Sequence, residues 1–159
     1  MFLEWFIWGA WFVPLWRYLN ELGFSATQIA WSYSSTGIAA IISPILVGVI
    51  ADRYYAAQKV LSFLHVCGAI ILLYVARQTQ FENFLPPLLV YALIYMPTVA
   101  ITNSIAFRNL ADSEGEFPRV RVLGTIGWIF SGLLVGFVPS WVGFGDISTT
   151  NLPFIVTAA

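Results

Sequence analysis

The chain has 159 residues, of which 59% are hydrophobic, 17% aromatic and only 9% charged, whereas a soluble globular domain carries about 25% charged residues. A chain this apolar could not cover its own surface in water, so its composition excludes an ordinary soluble domain and predicts an all-α, polytopic transmembrane helix bundle. The formal net charge of -1, without a cluster of Lys and Arg, excludes nucleic acid as a partner.

Apolar runs predict where the chain crosses the membrane, because roughly 20 mostly apolar residues span the hydrocarbon core. The first run contains Pro14, which predicts a kinked helix. The second opens with an N-cap at Ser25 or Thr27, and the fourth begins with Pro86 and Pro87 in its first turn. The five predicted spans, followed by the start of a sixth, are residues 2–19, 27–50, 60–76, 86–106, 120–142 and 151–159.

A polar segment from Arg108 to Arg121 separates the fourth and fifth predicted spans, and we interpret it as a loop. The fifth span is rich in glycine, a composition that allows two helices to pack closely in lipid. Its glycines are Gly124, Gly127, Gly132 and Gly136. The sequence therefore predicts tight packing of this helix against a neighbour.

Basic residues indicate the orientation of the chain, since short cytoplasmic loops carry an excess of Lys and Arg. With the N-terminus inside, five of the seven basic residues face the cytoplasm and only Arg17 and Arg77 face outward. We therefore expect a multi-pass protein with a cytoplasmic N-terminus. Because Met1 already lies in a hydrophobic helix and the last apolar run has no polar exit, we expect a domain that is incomplete at one or both ends.

The link between the second and third spans carries a short motif that consists of Gly48, Asp52 and Arg53 in the pattern G-x-x-x-D-R. The glycine permits close helix contact, and the two charged side chains at the membrane edge can bind groups of a moving neighbour. In this position, on the basic side of the membrane, the motif resembles the one that marks the major facilitator superfamily. Residues 54–59 depart from that pattern, because they lack its following glycine and its basic cluster.

Further stretches narrow the resemblance to the nucleoside:proton symporter family. These stretches are residues 6–11, 33–40, Pro44, 48–53 and 117–127. The resemblance implies the N-terminal half of a twelve-helix carrier that takes up nucleosides with protons by alternating access, in the inner membrane of a bacterium. It also implies a nucleoside substrate, lipid and the missing C-terminal half as partners, and no cofactor beyond the coupling proton. Gly48, Asp52 and Arg53 would then act in the conformational gate.

Three side chains on the fifth span form the main candidate for a substrate site. Arg121, Thr125 and Trp128 are spaced i, i+4 and i+7, so a cation, a hydroxyl and an indole share one helix face. Such a face suits the flat base and the hydroxyls of a nucleoside. The family resemblance implies the same three positions as cavity lining, although its members usually have Phe in place of Trp128. Alternatively, Arg121 lies at the cytoplasmic interface, Thr125 bonds to its own helix and Trp128 packs against lipid or a neighbour.

Other polar residues in the spans leave two interpretations open. Asn103, near Thr98 and Thr102, could contact a polar solute or bond between helices. His65 could pack or carry protons, and Glu4 could carry protons or simply complement the dipole of a first helical turn. Since no acid is clearly placed in mid-membrane by the sequence, we expect the proton site in the missing half.

The sequence offers no metal cluster, no nucleophile paired with a base and no phosphate-binding glycine loop, so we do not expect an enzyme or a metal site. Two alternatives to nucleoside transport remain. One is a carrier of the same superfamily for sugars or another small polar solute. The other is a non-transporting membrane scaffold or assembly subunit.

Overall fold

The computed structural model describes residues 1–51, 57–141, 143 and 145–159, and it leaves the side-chain surroundings of residues 44, 46–51, 138 and 140 undescribed. The described residues form seven α-helices, a short 3-10 turn and no strand. The elements are α1 (Phe2–Phe12), α2 (Leu15–Glu21), α3 (Ala26–Ala51), α4 (Ala57–Val75), α5 (Phe81–Asn109), α6 (Ser113–Trp141), the 3-10 turn (Ile147–Thr149) and α7 (Leu152–Ala158).

Three of these helices are long and apolar enough to cross a membrane: α4, α5 and the Ser113–Phe137 part of α6. Their outward faces carry large apolar side chains that water would not favour, among them Phe63, which is 66% exposed, and Phe137, which is 70% exposed. Lipid tails can cover such side chains without cost. The chain is therefore a multi-pass, all-helical membrane protein, as its composition predicts.

The first predicted span is interrupted at Pro14, and the predicted kink is confirmed. Proline cannot continue the hydrogen-bond ladder of a helix, so α1 ends at Phe12 and α2 begins at Leu15. The hydroxyl of Tyr33 on α3 enters the gap. It accepts a bond from the backbone N–H of Trp16 at 2.9 Å and donates to the carbonyl of Phe12 at 3.2 Å. A neighbouring side chain thus reconnects two backbone groups that an unbroken helix would pair with each other.

The prediction that Pro86 and Pro87 lie in a first helical turn is wrong, since α5 begins at Phe81. The N–H groups of Asn83 and Phe84 both donate to the carbonyl of Gln80, at 3.1 and 2.9 Å, and this closes the first turn. Phe84 is fully buried in the core, which favours the early turn. The two prolines lie one turn later. Because proline has no N–H, the carbonyls four residues before them have no helical partner, and these carbonyls belong to exposed residues.

The predicted loop from Arg108 to Arg121 is also mostly helical, because α5 continues to Asn109 and α6 already begins at Ser113. Asp112 explains the early start of α6. Its Oδ1 accepts the backbone N–H of Gly115 at 3.1 Å, and the carboxylate of Glu116 accepts the backbone N–H of Asp112 at 3.4 Å. This reciprocal cap satisfies N–H groups that the first turn leaves without an intrahelical partner.

A similar cap decides between the two N-cap candidates of the second predicted span. The hydroxyl of Ser25 accepts the N–H of Gln28 at 3.3 Å, and the side chain of Gln28 accepts the N–H of Ser25 at 2.8 Å. This capping box starts α3 at Ala26. Just before it, Gly23 ends α2 with a φ of 78°, which lets the N–H of Phe24 reach the carbonyl of Leu19.

The bundle is organised around α1 and α5. Helix α1 packs mainly against α6, while α3 and α4 flank α5, and α7 lies against α4 and α1. Aromatic and aliphatic side chains fill the space between them, with Trp11, Phe84, Leu88, Leu72 and Phe154 almost completely buried. The fold thereby holds one face of α1 against α6 and the other against α4 and α5.

Two of the four glycines in the fifth predicted span explain how closely α6 approaches α1. A Cβ at Gly124 would lie 2.6 Å from Cδ1 of Trp5, and a Cβ at Gly127 would collide with the backbone carbonyl of Phe2. At Gly132 the nearest described atom, in Val13, is 4.0 Å away, and at Gly136 no described atom lies within 4 Å. The predicted close packing of this helix is confirmed at Gly124 and Gly127, which form its contact with α1.

Candidate functional site

Helix α1 presents tryptophans to α6, and they form an aromatic cluster with the predicted residue Trp128. The ring of Trp128 lies 5.3 Å from that of Trp8 in an edge-to-face arrangement, and 6.2 Å from that of Trp5. Phe12 completes the cluster at 5.9 Å. Trp128 is half-buried. It therefore packs on protein, while part of its side chain stays accessible.

Arg121 lies one turn before Gly124 on α6 and reaches the same cluster from its side. Its guanidinium carbon is 4.3 Å from the centroid of the Trp5 ring, within the range of a cation–π interaction. Arg121 and Thr125 are both exposed. The structure thus brings Arg121 and Trp128 together through Trp5, and it leaves Thr125 on the same helix between them.

Two indole nitrogens in this cluster have no recorded hydrogen-bond acceptor. The Nε1 atoms of Trp5 and Trp8 are buried and have no hydrogen-bond partner in the described part of the chain. Buried polar groups are nearly always paired in native proteins, so such donors indicate a missing partner, either water or a ligand. The exposed guanidinium of Arg121 and hydroxyl of Thr125, together with the aromatic rings, can bind a flat, polar, heteroatom-rich molecule by stacking and hydrogen bonding.

Asn103 lies on α5 rather than on α6. Its Oδ1 atom is buried without a hydrogen-bond partner among the described residues, and it follows Thr102, whose hydroxyl contacts Glu4. The structure therefore places Asn103 beside a second polar cluster. Whether its carbonyl oxygen serves a substrate or a neighbouring helix stays a prediction.

The predicted gate residues are largely beyond the structural description. Gly48 belongs to the last turns of α3, and Asp52 and Arg53 fall in the segment 52–56, outside the described residues. Their gating role accordingly stays a prediction. The described residues contain no group of three or more His, Cys, Asp or Glu side chains that could hold a metal ion.

The neighbouring face of α1 carries a polar cluster centred on Glu4, which sequence reasoning placed only in a first helical turn. The side chain of Glu4 is 5% exposed. Its Oε1 accepts a hydrogen bond from Thr98 at 2.5 Å, and its Oε2 lies 3.1 Å from the hydroxyl of Thr102 and 3.3 Å from Nε2 of His65. The hydroxyl of Tyr95 donates to the backbone carbonyl of Glu4. A buried carboxylate is thus held between α4 and α5.

A cavity of about 260 Å³ opens next to this cluster. Its wall includes His65 on α4, Tyr91 and Tyr95 on α5, and Thr157 on α7. The side chain of His65 is 30% exposed, far more than that of Glu4. The imidazole therefore connects the sealed carboxylate with open space.

Comparison with known proteins identifies relatives along the whole chain. Residues 1–159 match the family model described as nucleoside H+ symporter. YegT of Escherichia coli, named as a candidate nucleoside transporter, is 61% identical over 99% of this chain, and xanthosine permease of the same bacterium is 41% identical over 80%. The crystal structure of the nucleoside transporter NupG superposes with a TM-score of 0.86 at 33% identity over 99% of this chain.

The chain is much shorter than these relatives. It spans 37% of the length of YegT, 32% of xanthosine permease and 38% of the NupG chain in the crystal structure. The resemblance therefore concerns about a third of each relative. It covers all of the helices described above.

Proposed function

We propose that this chain, which belongs to the nucleoside H+ symporter family, is the N-terminal part of a carrier that takes nucleosides into a bacterial cell together with protons. Three named relatives support the proposal, because they are a candidate nucleoside transporter, a xanthosine permease and a nucleoside transporter of known structure. The carrier's remaining helices would form the other half of the substrate cavity, and the two halves would alternate in access around it.

The observation that carries the proposal is the arrangement of Arg121, Trp5 and Trp128 between α1 and α6. A nucleoside base can stack on the exposed part of the Trp128 side chain, and its heteroatoms and ribose hydroxyls can bind the exposed hydroxyl of Thr125 and guanidinium of Arg121. In isolation this face would lie bare in lipid, where an exposed arginine is costly. A polar cavity shared with the second half of the carrier would give this arginine a suitable environment.

The membrane arrangement proposed for this part of the carrier has five spans and the start of a sixth. The kinked pair α1 and α2 would form the first span, α3 to α6 the next four, and α7 the beginning of the sixth, with the domain extending over residues 1–159. The N-terminus would be cytoplasmic, in the inner membrane. Gly48, Asp52 and Arg53 would then lie at the cytoplasmic gate, and Asn103 would lie on the half of α5 that is nearer to the cytoplasm.

Uptake of labelled uridine tests this function in nucleoside-uptake-deficient cells that express the full-length carrier. We expect uptake that a protonophore abolishes, and a loss of about tenfold or more with Arg121→Ala and Trp128→Ala, because each variant removes a bidentate donor or a stacking surface. Matched controls on the same helix are Arg119→Ala and Trp141→Ala, whose side chains are exposed. These should transport normally.

Two results would contradict the proposal. A well-expressed carrier that takes up no nucleoside would favour a non-transporting membrane protein, and competition by sugars but not by uridine or adenosine would favour a sugar carrier. Equal losses in the control variants would show that the effect of Arg121→Ala or Trp128→Ala is not specific to the proposed site.

A further inference from the structure

The Glu4 cluster lies deep within the bundle. His65 is the ninth residue of α4, a helix of 19 residues, so it lies about 12 Å from one helix end and about 15 Å from the other. Helix α4 is itself long and apolar enough to cross the membrane. In the proposed membrane arrangement His65 therefore lies near the middle of the third span, and its contact with Glu4 joins that carboxylate to a depth where an ionisable side chain is costly and usually functional.

The hydrogen-bond geometry around Glu4 suits both of its protonation states. The hydroxyl of Thr98 lies 2.5 Å from Oε1 of Glu4 and also 2.5 Å from the backbone carbonyl of Tyr95, yet it has only one hydrogen to donate. When Glu4 is ionised, Thr98 can donate to its carboxylate. When Glu4 is protonated, its own O–H can donate to Thr98, and Thr98 can then donate to Tyr95.

The second oxygen of Glu4 is satisfied in both states as well. Oε2 lies within reach of the Thr102 hydroxyl and of Nε2 of His65, and the imidazole can act as donor or acceptor depending on where its proton lies. Groups that can only donate hydrogen bonds favour the charged form of a carboxylate. This cage contains a hydroxyl and an imidazole that can each reverse their role.

The groups that face Glu4 from each neighbouring helix leave His65 as its ionisable partner. Helix α5 contributes Tyr95, which donates to the Glu4 backbone and stacks on Tyr91. Of the two arginines of α6, Arg119 is exposed and Arg121 lies over the ring of Trp5, and α7 contains no ionisable side chain. Within the described residues, the recorded ion pair of Glu4 is with His65.

We propose that Glu4 and His65 together bind the coupling proton of the carrier, an inference that rests on the proposed function. A proton from water on the outer side converts the ionised carboxylate and neutral imidazole into a pair that shares one proton, and release of that proton to cytoplasmic water restores the first state. The charge of the pair changes from -1 to 0. This places a proton site in the N-terminal bundle, whereas the sequence alone led us to expect it in the missing half.

The position of Glu4 on α1 explains how the proton and the substrate would communicate. Successive helical residues are turned by about 100°, so Glu4 faces α4 and α5 while Trp5, the next residue, lies under the guanidinium of Arg121 on α6. A change in the hydrogen bonds of Glu4 therefore acts on the helix that also carries Trp5 and Trp8. The proposed proton site and the proposed nucleoside site share this one element.

The test uses the full-length carrier in proteoliposomes and compares two readouts for Glu4→Gln. One is uridine counterflow without a pH gradient, which needs substrate binding and alternating access but no net proton movement. The other is uridine accumulation driven by an acidic exterior. We expect Glu4→Gln to retain counterflow and to lose accumulation, because an amide preserves the shape of the carboxyl but cannot bind a proton. Glu82→Gln, which neutralises an exposed acid on α5, should retain both.

His65→Gln provides the second, independent variant. It keeps a donor near Glu4 but removes the ionisable ring, so the pH dependence of accumulation should shift by about one pH unit or more.

Gradient-driven accumulation by Glu4→Gln at the wild-type level would overturn the proposal. If Glu4→Gln loses both readouts, His65→Gln decides: a shifted profile supports the proton site, and an unchanged profile overturns it. A wild-type carrier without uridine counterflow would instead contradict the proposed function.

Discussion

Tyr33 is a single residue on which the connection between α1 and α2 depends. Its hydroxyl bonds to both backbone groups that Pro14 separates, the carbonyl of Phe12 and the N–H of Trp16. Tyr33→Phe should lower the free energy of unfolding by about 1–3 kcal/mol, because it leaves these two groups without a partner. Denaturant titration in detergent, with Tyr74→Phe on the exposed face of α4 as the control, measures the difference. Equal stability of Tyr33→Phe and the wild type would contradict this account of the kink.

Residues differ in how well the sequence reveals their role. Arg121 and Trp128 could be predicted to share a face from helical spacing alone, and both contact Trp5. The Glu4 cluster could not be predicted in this way. His65 is 61 residues away from Glu4 along the chain, and their pairing depends on how three helices pack. The spacing of Thr98 and Thr102, one turn apart on a helix, was the available signal. It indicated a polar face without naming the partner.

At the scale of elements, the close approach of α6 to α1 depends on glycines that have no room for a side chain. Gly127→Ala should destabilise the protein by about 1–3 kcal/mol, since its Cβ would collide with the backbone of Phe2. Gly136→Ala is the matched control on the same helix, because its Cβ would meet no described atom within 4 Å. Unfolding titrations of both variants provide the measurement. Equal stability of the two would contradict the packing described for α1 and α6.

The segment between α6 and α7 is anchored by a charge that titrates at low pH. Asp146 pairs with Arg17 of α2 at 2.8 Å, and hydrogen bonds from the hydroxyl and N–H of Ser148, with a smaller contribution from Arg17, lower the pKa of Asp146 below its usual value. A lowered pKa means that the ionised form stabilises the folded state. This contribution is present above about pH 4, the unfolded value, and is lost as the pH falls through the lower folded value.

Asp146→Asn should therefore reduce stability at pH 7 by no more than about 1 kcal/mol, because the pair is largely exposed to solvent. The difference from the wild type should shrink toward pH 3, where the wild-type carboxylate also begins to bind a proton. Unfolding titrations at the two pH values, with Glu21→Gln as an exposed control, measure the effect. A difference that grows as the pH falls would contradict it.

The ends of the elements show where sequence reasoning is limited. A kink at Pro14 follows from proline chemistry and could be predicted, whereas the partner that repairs it comes from another helix. The predicted starts of α5 and α6 were too late. Apolar runs indicate which residues lie in the hydrocarbon core, but a helix can extend beyond that core into a polar segment where a capping residue such as Asp112 is available. Hydropathy therefore predicts the apolar part of a helix better than its ends.

At the scale of the whole molecule, the composition was sufficient to predict a helical membrane protein, and the resemblance of short stretches was sufficient to predict its family. The arrangement of the bundle required the structure. It shows α1 as the element with two functional faces, the tryptophans toward α6 and Glu4 toward α4 and α5. In the proposed carrier, one face would bind the nucleoside and the other would bind the proton.

The most direct test of this account measures whether uridine and protons enter together. Uridine is added to lightly buffered, de-energised cells that express the full-length carrier, and the external pH is followed. The account predicts that the medium becomes more alkaline on addition of uridine, that a protonophore abolishes this change, and that a sugar such as maltose does not cause it. Entry of labelled uridine without a change in external pH would contradict proton coupling, and no entry would contradict nucleoside transport.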